Sequence, residues 1–141
     1  KFKEINKKYF EKMKEIKIII EKSSDSFGAY SENVSGIYGA GDTAEECKQS
    51  VLDAIETLKE LDSCPKELRG DYIITYKFDA ISLLNYYKGI FTNSALEKIT
   101  GINQKQIQHY ATGHRKPRVE QREKIESALH SLGKELLAVE L

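Results

Sequence analysis

The sequence has few cysteines, no long apolar run and no net charge. Its two cysteines, Cys47 and Cys64, lie 17 residues apart and form neither a CxxC motif nor a pattern with histidine. A metal site is therefore not expected and no cofactor is predicted; Cys47, on the apolar side of a predicted helix, should be a buried, reduced thiol. No apolar run is long enough to span a bilayer, so we expect a soluble, cytoplasmic protein without a signal peptide.

The neutrality of the whole chain conceals an uneven charge distribution. The 22 basic and 22 acidic residues cancel overall, but residues 13–61 carry five basic and ten acidic residues. Residues 92–118 carry the opposite excess, with Glu97 set against Lys98, Lys105, Arg115, Lys116 and Arg118. The acidic front half favours a basic partner, and the basic segment favours a polyanion.

The first half of the chain is predicted to form a sheet with one helix. Residues 1–12 are lysine-rich and lack an initiator Met, so we interpret them as a leader or an added extension and leave them out of the fold. Residues 16–22, 27–34 and 37–40 are predicted to be three antiparallel strands. A helix is predicted from residue 44 to about residue 61, because Thr43 and Glu46 form a capping box and apolar residues follow at helical spacing. Tyr72–Phe78 is predicted to be a fourth strand, so residues 13–78 form a βββαβ domain.

The second half, residues 79–141, is predicted to be all-α. Helices are expected over residues 79–90, 94–100, 104–111 and 118–141. Gly101 should end the second of these and Asn103 should cap the third. Gly133 is expected to kink or break the last one. The fold class is therefore α+β, with a βββαβ domain followed by an all-α domain.

The last helix has one continuously apolar face. Its members are Ile125, Leu129, Leu132, Leu136 and Val139. This face is more apolar than a small domain needs, which favours packing against a second copy of the chain; an ordinary intramolecular core is the alternative.

Residues 92–118 have the composition of a DNA-contacting segment. Long amide and basic side chains face outward from the predicted helix 104–111, and such side chains can pair with base edges. We predict base contacts from Gln104, Lys105, Gln108 and His109, and a further DNA contact from Asn103. Phosphate contacts are predicted from Thr92, Asn93, Arg115, Lys116 and Arg118. An ordinary αα-hairpin with a solvated polar helix is the alternative.

This segment resembles the helix-turn-helix of the lambda-repressor/Cro-like family. The matching residues are Leu96, Gly101, Ile102, Ile107, Tyr110, Gly113 and Pro117. The chain departs from the family at Glu97, where Ala is usual, and at Thr100, where an aliphatic residue is usual. The resemblance implies that residues 104–111 enter the major groove of operator DNA, and the small number of contacts from one such motif favours a dimer.

Residues 13–141 resemble the HicB antitoxins, some of which carry a C-terminal helix-turn-helix after a partial RNase H-like domain. The resemblance is carried by residues 16–21 (IKIIIE), residues 27–30 (FGAY) and residues 41–46 (GDTAEE). The chain departs from the family at residues 31–36 (SENVSG), where a proline-containing, less polar stretch is common. The resemblance implies that the front domain neutralises a HicA-type toxin, an mRNA-cleaving ribonuclease. We predict toxin contacts from Tyr30, Glu32, Asn33 and Tyr38; a solvated face is the alternative there.

The front domain is not expected to be an enzyme. An RNase H nuclease needs several carboxylates converging on Mg²⁺. The sequence offers Glu21 at a strand end, Asp25 in a turn and Asp42 at a helix start, so we interpret the domain as a binding scaffold. Two alternatives to the antitoxin stay open: a stand-alone transcription regulator whose front domain senses a small ligand, and a weak nuclease.

Overall fold

The computed structural model describes residues 13–141, and the predicted extension of residues 1–12 lies outside this range. The chain divides into two compact units after Asp79. We call residues 13–79 the front unit and residues 80–141 the back unit. Together they form an α+β protein, with a mixed four-stranded sheet and five α-helices in the described range.

The front unit contains a sheet in the order β3-β2-β1-β4. The strands are β1 (Lys14–Lys22), β2 (Phe27–Ser31), β3 (Tyr38–Gly41) and β4 (Tyr72–Phe78). The first three form the predicted antiparallel meander, and β4 pairs with β1 in parallel. A parallel pair needs a long crossover connection, which here contains α1 (Ala44–Lys59) and a short 3-10 helix (Lys66–Leu68).

The core of the front unit lies between α1 and one face of the sheet. Ile16, Ile18 and Ile20 of β1 are fully buried on this face, as their alternation predicts, whereas Ile19 lies on the opposite face. From α1, Ala44, Cys47, Val51 and Ile55 are buried, which confirms the main part of the predicted stripe. Cys47 is fully buried, which confirms the expectation of a buried thiol, and its burial raises the pKa of the thiol.

The helix α1 lies unusually close to β3. A Cβ atom on Gly39 would lie 2.8 Å from the backbone nitrogen of Val51, and one on Gly41 would lie 2.6 Å from that of Cys47. The Ser50 hydroxyl of α1 accepts a hydrogen bond from the backbone N–H of Ala40, 3.2 Å away. The helix therefore covers part of the edge of the short strand β3.

The start of α1 follows the predicted capping box with one change. The Thr43 hydroxyl accepts from the backbone N–H of Glu46 at 3.0 Å. The Glu46 carboxylate accepts from the backbone N–H of Asp42 at 3.1 Å, one residue before the cap. Both carboxylates in the first turn, Glu45 and Glu46, also suit the positive end of the helix dipole.

Two elements of the front unit end earlier than predicted. The second strand ends at Ser31 instead of residue 34, because the Ser31 hydroxyl accepts from the backbone N–H of Val34 and turns the chain. Helix α1 ends at Lys59, and Leu61 lies exposed beyond it.

The back unit consists of four helices. They are α2 (Ala80–Tyr87), α3 (Asn93–Thr100), α4 (Gln104–Thr112) and α5 (Val119–Leu137). Its buried core is formed by Leu84, Leu96, Ile102, Ile107, Tyr110 and Ile125. Gly101 ends α3 in the left-handed conformation, with φ 75°, and Gly113 ends α4 in the same way, with φ 78°. Both are positions where a side chain would be strained.

The predicted bounds of α2 and α5 differ by several residues from those in the structure. Helix α2 is shorter than residues 79–90; it begins after Asp79, whose carboxylate accepts from the backbone N–H of Lys22 in the front unit's β1. Helix α5 ends at Leu137 rather than residue 141. The predicted break at Gly133 is wrong, because α5 continues through it. Leu132, Lys134 and Glu135 beside it are good helix formers, and one interior glycine costs only about 1 kcal/mol relative to alanine.

Within residues 13–141, no helix combines the length and the apolar character needed to cross a membrane.

Candidate nucleic-acid interface and partner surface

The outward face of α4 carries the side chains predicted to contact bases. Gln104, Lys105 and Gln108 are exposed, and His109 is half-buried. The opposite side of α4 is anchored by Ile107 and Tyr110, and the Tyr110 hydroxyl accepts from the Gln106 side-chain amide at 3.0 Å. Helix α4 is thus held firmly by one side while its amide-rich side faces solvent.

Two groups cap the amino end of α4. The Asn103 side-chain oxygen accepts from the backbone N–H of Lys105 at 2.8 Å, so Asn103 is the N-cap that the sequence predicts. The Glu97 carboxylate of α3 accepts from the backbone N–H of Gln104 at 3.2 Å. A free helix amino end commonly binds a phosphate, but here a carboxylate and an amide oxygen already occupy the first donors.

The predicted phosphate contacts lie in two places. Thr92 caps α3, its hydroxyl oxygen accepting from the backbone N–H of Ala95 at 3.0 Å, and the hydroxyl proton stays available to a ligand. Arg115, Lys116 and Arg118 are exposed in the segment between α4 and α5, and we call residues 113–118 the basic loop.

Asn93 has a contact that the sequence did not indicate. Its Nδ2 donates to Oε1 of Gln108 at 2.8 Å, which joins the start of α3 to the middle of α4. A predicted phosphate contact is therefore hydrogen-bonded to a predicted base contact. The two residues are far apart in the sequence, so the pair becomes evident only from the packing of α3 on α4.

His109 and His114 lie against each other. Their ring centroids are 4.8 Å apart, and the backbone N–H of Arg115 donates to the carbonyl of His109 at 3.2 Å. Because His109 also contacts the basic loop, it helps to hold that loop beside the carboxyl end of α4.

The predicted partner contacts in the front unit lie on the face of the sheet that α1 does not cover, which we call the open face. Tyr30 and Tyr38 are paired directly across β2 and β3. The same row continues to Ile19 of β1 and Lys77 of β4. Tyr38 is 70% exposed and Tyr30 38% exposed. The sequence indicated the two tyrosines but not that Ile19 and Lys77 lie in the same row, since the pairing of β1 with β4 spans the whole crossover.

The other two predicted contacts differ from each other. Glu32 is exposed and lines a shallow depression of about 270 Å³ on the open face, together with Lys17 and Lys77. Asn33 is bound to β1 through both ends of its amide: it accepts from the backbone N–H of Lys17 at 2.9 Å and donates to the carbonyl of Glu15 at 2.7 Å. These bonds give Asn33 a structural role at the end of β2.

The acidic side chains of the front unit are concentrated elsewhere. Four carboxylates lie exposed along one side of α1 and its end, at helical spacing, and we call them the acidic stripe: Glu45, Asp53, Glu56 and Glu60. Because the buried side of α1 faces the sheet, the acidic stripe points away from the open face. The acidic stripe and the exposed tyrosines thus lie on opposite sides of the front unit, and Glu15 and Glu32 are carboxylates that line the open face.

The carboxylates considered for a metal site are dispersed. Glu21 is the second-last residue of β1, Asp25 accepts from the Ser24 hydroxyl in the following turn, and Asp42 precedes α1. Within residues 13–141, no group of three or more His, Cys, Asp or Glu side chains is arranged to hold a metal ion.

Comparisons of the chain with models of protein families, with curated proteins and with solved structures found no match. By its fold, the protein is an α+β chain of two units.

Proposed function

We propose that the chain is the antitoxin of a type II toxin–antitoxin system. The front unit binds and neutralises a HicA-type mRNA-cleaving toxin, and the back unit represses the chain's own operon by binding operator DNA as a dimer. The observation that carries the proposal is the outward face of α4, which is exposed and rich in amide side chains and lies beside the basic loop. The back unit, which contains this face, is joined in one chain to the acidic front unit.

The back unit supports the DNA-binding part of the proposal. Helix α3, the left-handed turn at Gly101 and helix α4 follow the order of a helix-turn-helix, with α4 as the recognition helix. Gln104, Lys105 and Gln108 project from α4 at a spacing suited to the major groove, and Arg115 and Lys116 follow where the helix would leave the DNA backbone.

The front unit supports the toxin-binding part. Its βββαβ order, with three antiparallel strands and a fourth parallel to the first, is consistent with the partial RNase H-like domain of the HicB resemblance. An RNA-cleaving toxin must grip a polyanion and is therefore expected to be basic, so the acidic stripe would attract it over long distances. We propose that binding, without catalysis, is the task of this unit.

Co-expression with the adjacent gene tests the whole proposal. A small basic protein encoded next to this chain should arrest growth alone and should be neutralised by the full chain, with which it should co-purify. A stand-alone regulator would neither co-purify with that protein nor reverse the growth arrest. A nuclease would cleave RNA or DNA in a metal-dependent manner by itself.

The open face and the acidic stripe should contribute to toxin binding in different ways. Replacing Tyr30 and Tyr38 together by Ala should weaken toxin binding by about 2 kcal/mol or more, because exposed tyrosines that become buried at an interface are typical hot spots. This loss should appear mainly as faster dissociation in surface-based binding measurements, and neutralisation in cells should fail.

Reversing charge on the acidic stripe is the matched control. Asp53→Lys with Glu56→Lys should mainly slow association and reduce its dependence on salt, because charges at a distance steer the encounter. If the stripe variant lost neutralisation while the tyrosine variant kept it, the toxin would bind to α1 and the open face would be excluded.

Base contacts and phosphate contacts should respond differently to substitution. Gln104→Ala should cost roughly 1–3 kcal/mol on the cognate operator and relax the preference at one base pair. Lys116→Ala should weaken binding to all sequences and lower the slope of log affinity against log salt by roughly one. Titrations at several salt concentrations, with cognate and scrambled duplexes, measure both effects. Equal behaviour of the two variants would contradict the assignment of base and phosphate contacts.

A further inference from the structure

Helix α3 holds one end of a side chain that α4 would present to DNA. The Asn93 amide nitrogen donates to the Gln108 carbonyl oxygen at 2.8 Å. Asn93 lies in the first turn of α3 and is half-buried, whereas Gln108 is exposed on the outward face of α4. In this arrangement the carbonyl end of the Gln108 amide turns towards Asn93.

The orientation of Gln108 determines what it can bind. A glutamine amide offers acceptor sites at its oxygen and two donors at its nitrogen. Because the Gln108 oxygen is directed to Asn93, the nitrogen with its two donors is the end that remains for a ligand. A ligand that matches this end must present acceptors.

Gln104, one turn earlier on α4, is held differently. Its side-chain nitrogen lies 3.5 Å from a Glu97 carboxylate oxygen, and its backbone N–H donates to the other oxygen of the same carboxylate. Glu97 engages one of the two side-chain donors, which leaves the carbonyl oxygen and one N–H. Gln104 can therefore both accept and donate.

The edges of the bases in the major groove match these two arrangements. Guanine presents two acceptors, N7 and O6, whereas adenine presents the acceptor N7 beside the N6 amino donor. We propose that Asn93 is a positioning residue that makes Gln108 select guanine, while Gln104, held by Glu97, selects adenine. This inference rests on the proposed DNA binding and specifies which bases the two glutamines recognise.

An isosteric substitution at Asn93 tests the proposal directly. In Asn93→Asp, the side chain facing Gln108 can only accept, so the Gln108 amide should turn over and present its oxygen outward. The preferred base at the Gln108 position should change from guanine to one that offers an amino group, adenine or cytosine. The ratio of guanine to adenine affinity should fall by about tenfold.

The measurement is selection of bound duplexes from a random-sequence library by the full chain, followed by titration of the selected duplexes with single base changes. Ser94→Asp is the matched control, because it places the same charge one residue along α3, at an exposed position. This control should lower affinity for all sequences without changing the base ranking. In Asn93→Asp, the preference at the Gln104 position should stay as in the wild type.

The outcomes separate the two levels of the argument. A wild-type chain that selects no sequence and binds DNA no better than a Gln104→Ala/Gln108→Ala variant would overturn the proposed function together with this inference. A wild type that selects a sequence, with the same base ranking in Asn93→Asp, would overturn the inference alone. A changed ranking at the Gln108 position, unchanged at the Gln104 position, would support it.

Discussion

The free energy of unfolding of the front unit is expected to fall by about 2–3 kcal/mol when Gly39 is replaced by Ala. The added Cβ would lie 2.5 Å from Cγ2 of Val51 and 2.8 Å from its backbone nitrogen. The side chain of Val51 could rotate away, but the backbone of α1 cannot move without separating the whole buried face of the helix from β3. The steric clash of the new Cβ with the α1 backbone should therefore destabilise the folded state by more than the loss of glycine flexibility in the unfolded chain stabilises it.

Gly28→Ala is the matched control for this prediction. Gly28 also lies within a strand of the same sheet, but a Cβ there has no atom within 4 Å. Its substitution should leave the stability of the front unit unchanged or raise it slightly, by about 0.5 kcal/mol. Urea unfolding of the full chain, followed through amide resonances of β1 and β3, measures both variants. Equal stability of the two would contradict the close approach of the α1 backbone to β3 at Gly39.

Local patterns in the sequence were sufficient for most of the elements. The alternation of Ile16, Ile18 and Ile20 predicted the buried face of β1, and the Thr43 capping box predicted the start of α1; both are confirmed. Gly101 predicted the end of α3, because the local backbone requires a left-handed residue there, and glycine adopts that conformation most readily. Such features depend on residues within a few positions of each other.

Features that depend on distant pairing were not readable from the sequence. The row from Tyr38 to Lys77 on the open face requires the register between β1 and β4, which the crossover fixes only in three dimensions. The hydrogen bonds of Asn93 with Gln108 and of Glu97 with Gln104 require the packing of α3 on α4. The net negative charge of the front half was evident from the sequence. That the acidic stripe on α1 faces away from the exposed tyrosines follows only from the topology.

The apolar end of α5 should form the contact between two copies of the chain. The first part of the predicted stripe is used within the back unit, since Ile125 is buried and Leu129 packs on the core. The last part is exposed, since Leu136 is 61% and Val139 63% exposed; Leu137, which was not part of the predicted stripe, is 74% exposed beside them. A second copy can bury these side chains symmetrically, because a two-fold axis brings the same surface to itself.

Replacing Leu136 and Leu137 together by Gln should therefore produce a monomer. Glutamine keeps the helix propensity, so α5 should persist in circular dichroism while sedimentation velocity shows the lower mass. Affinity for an operator with two half-sites should fall by about a hundredfold or more, because the second half-site is no longer bound intramolecularly.

Val119→Gln is the control: Val119 is 53% exposed at the opposite end of α5, about 25 Å away, and its substitution should leave the dimer intact. If the Leu136/Leu137 variant sediments like the wild type, the two copies do not meet through this end of α5, and the proposed repressor would need another interface to span its operator.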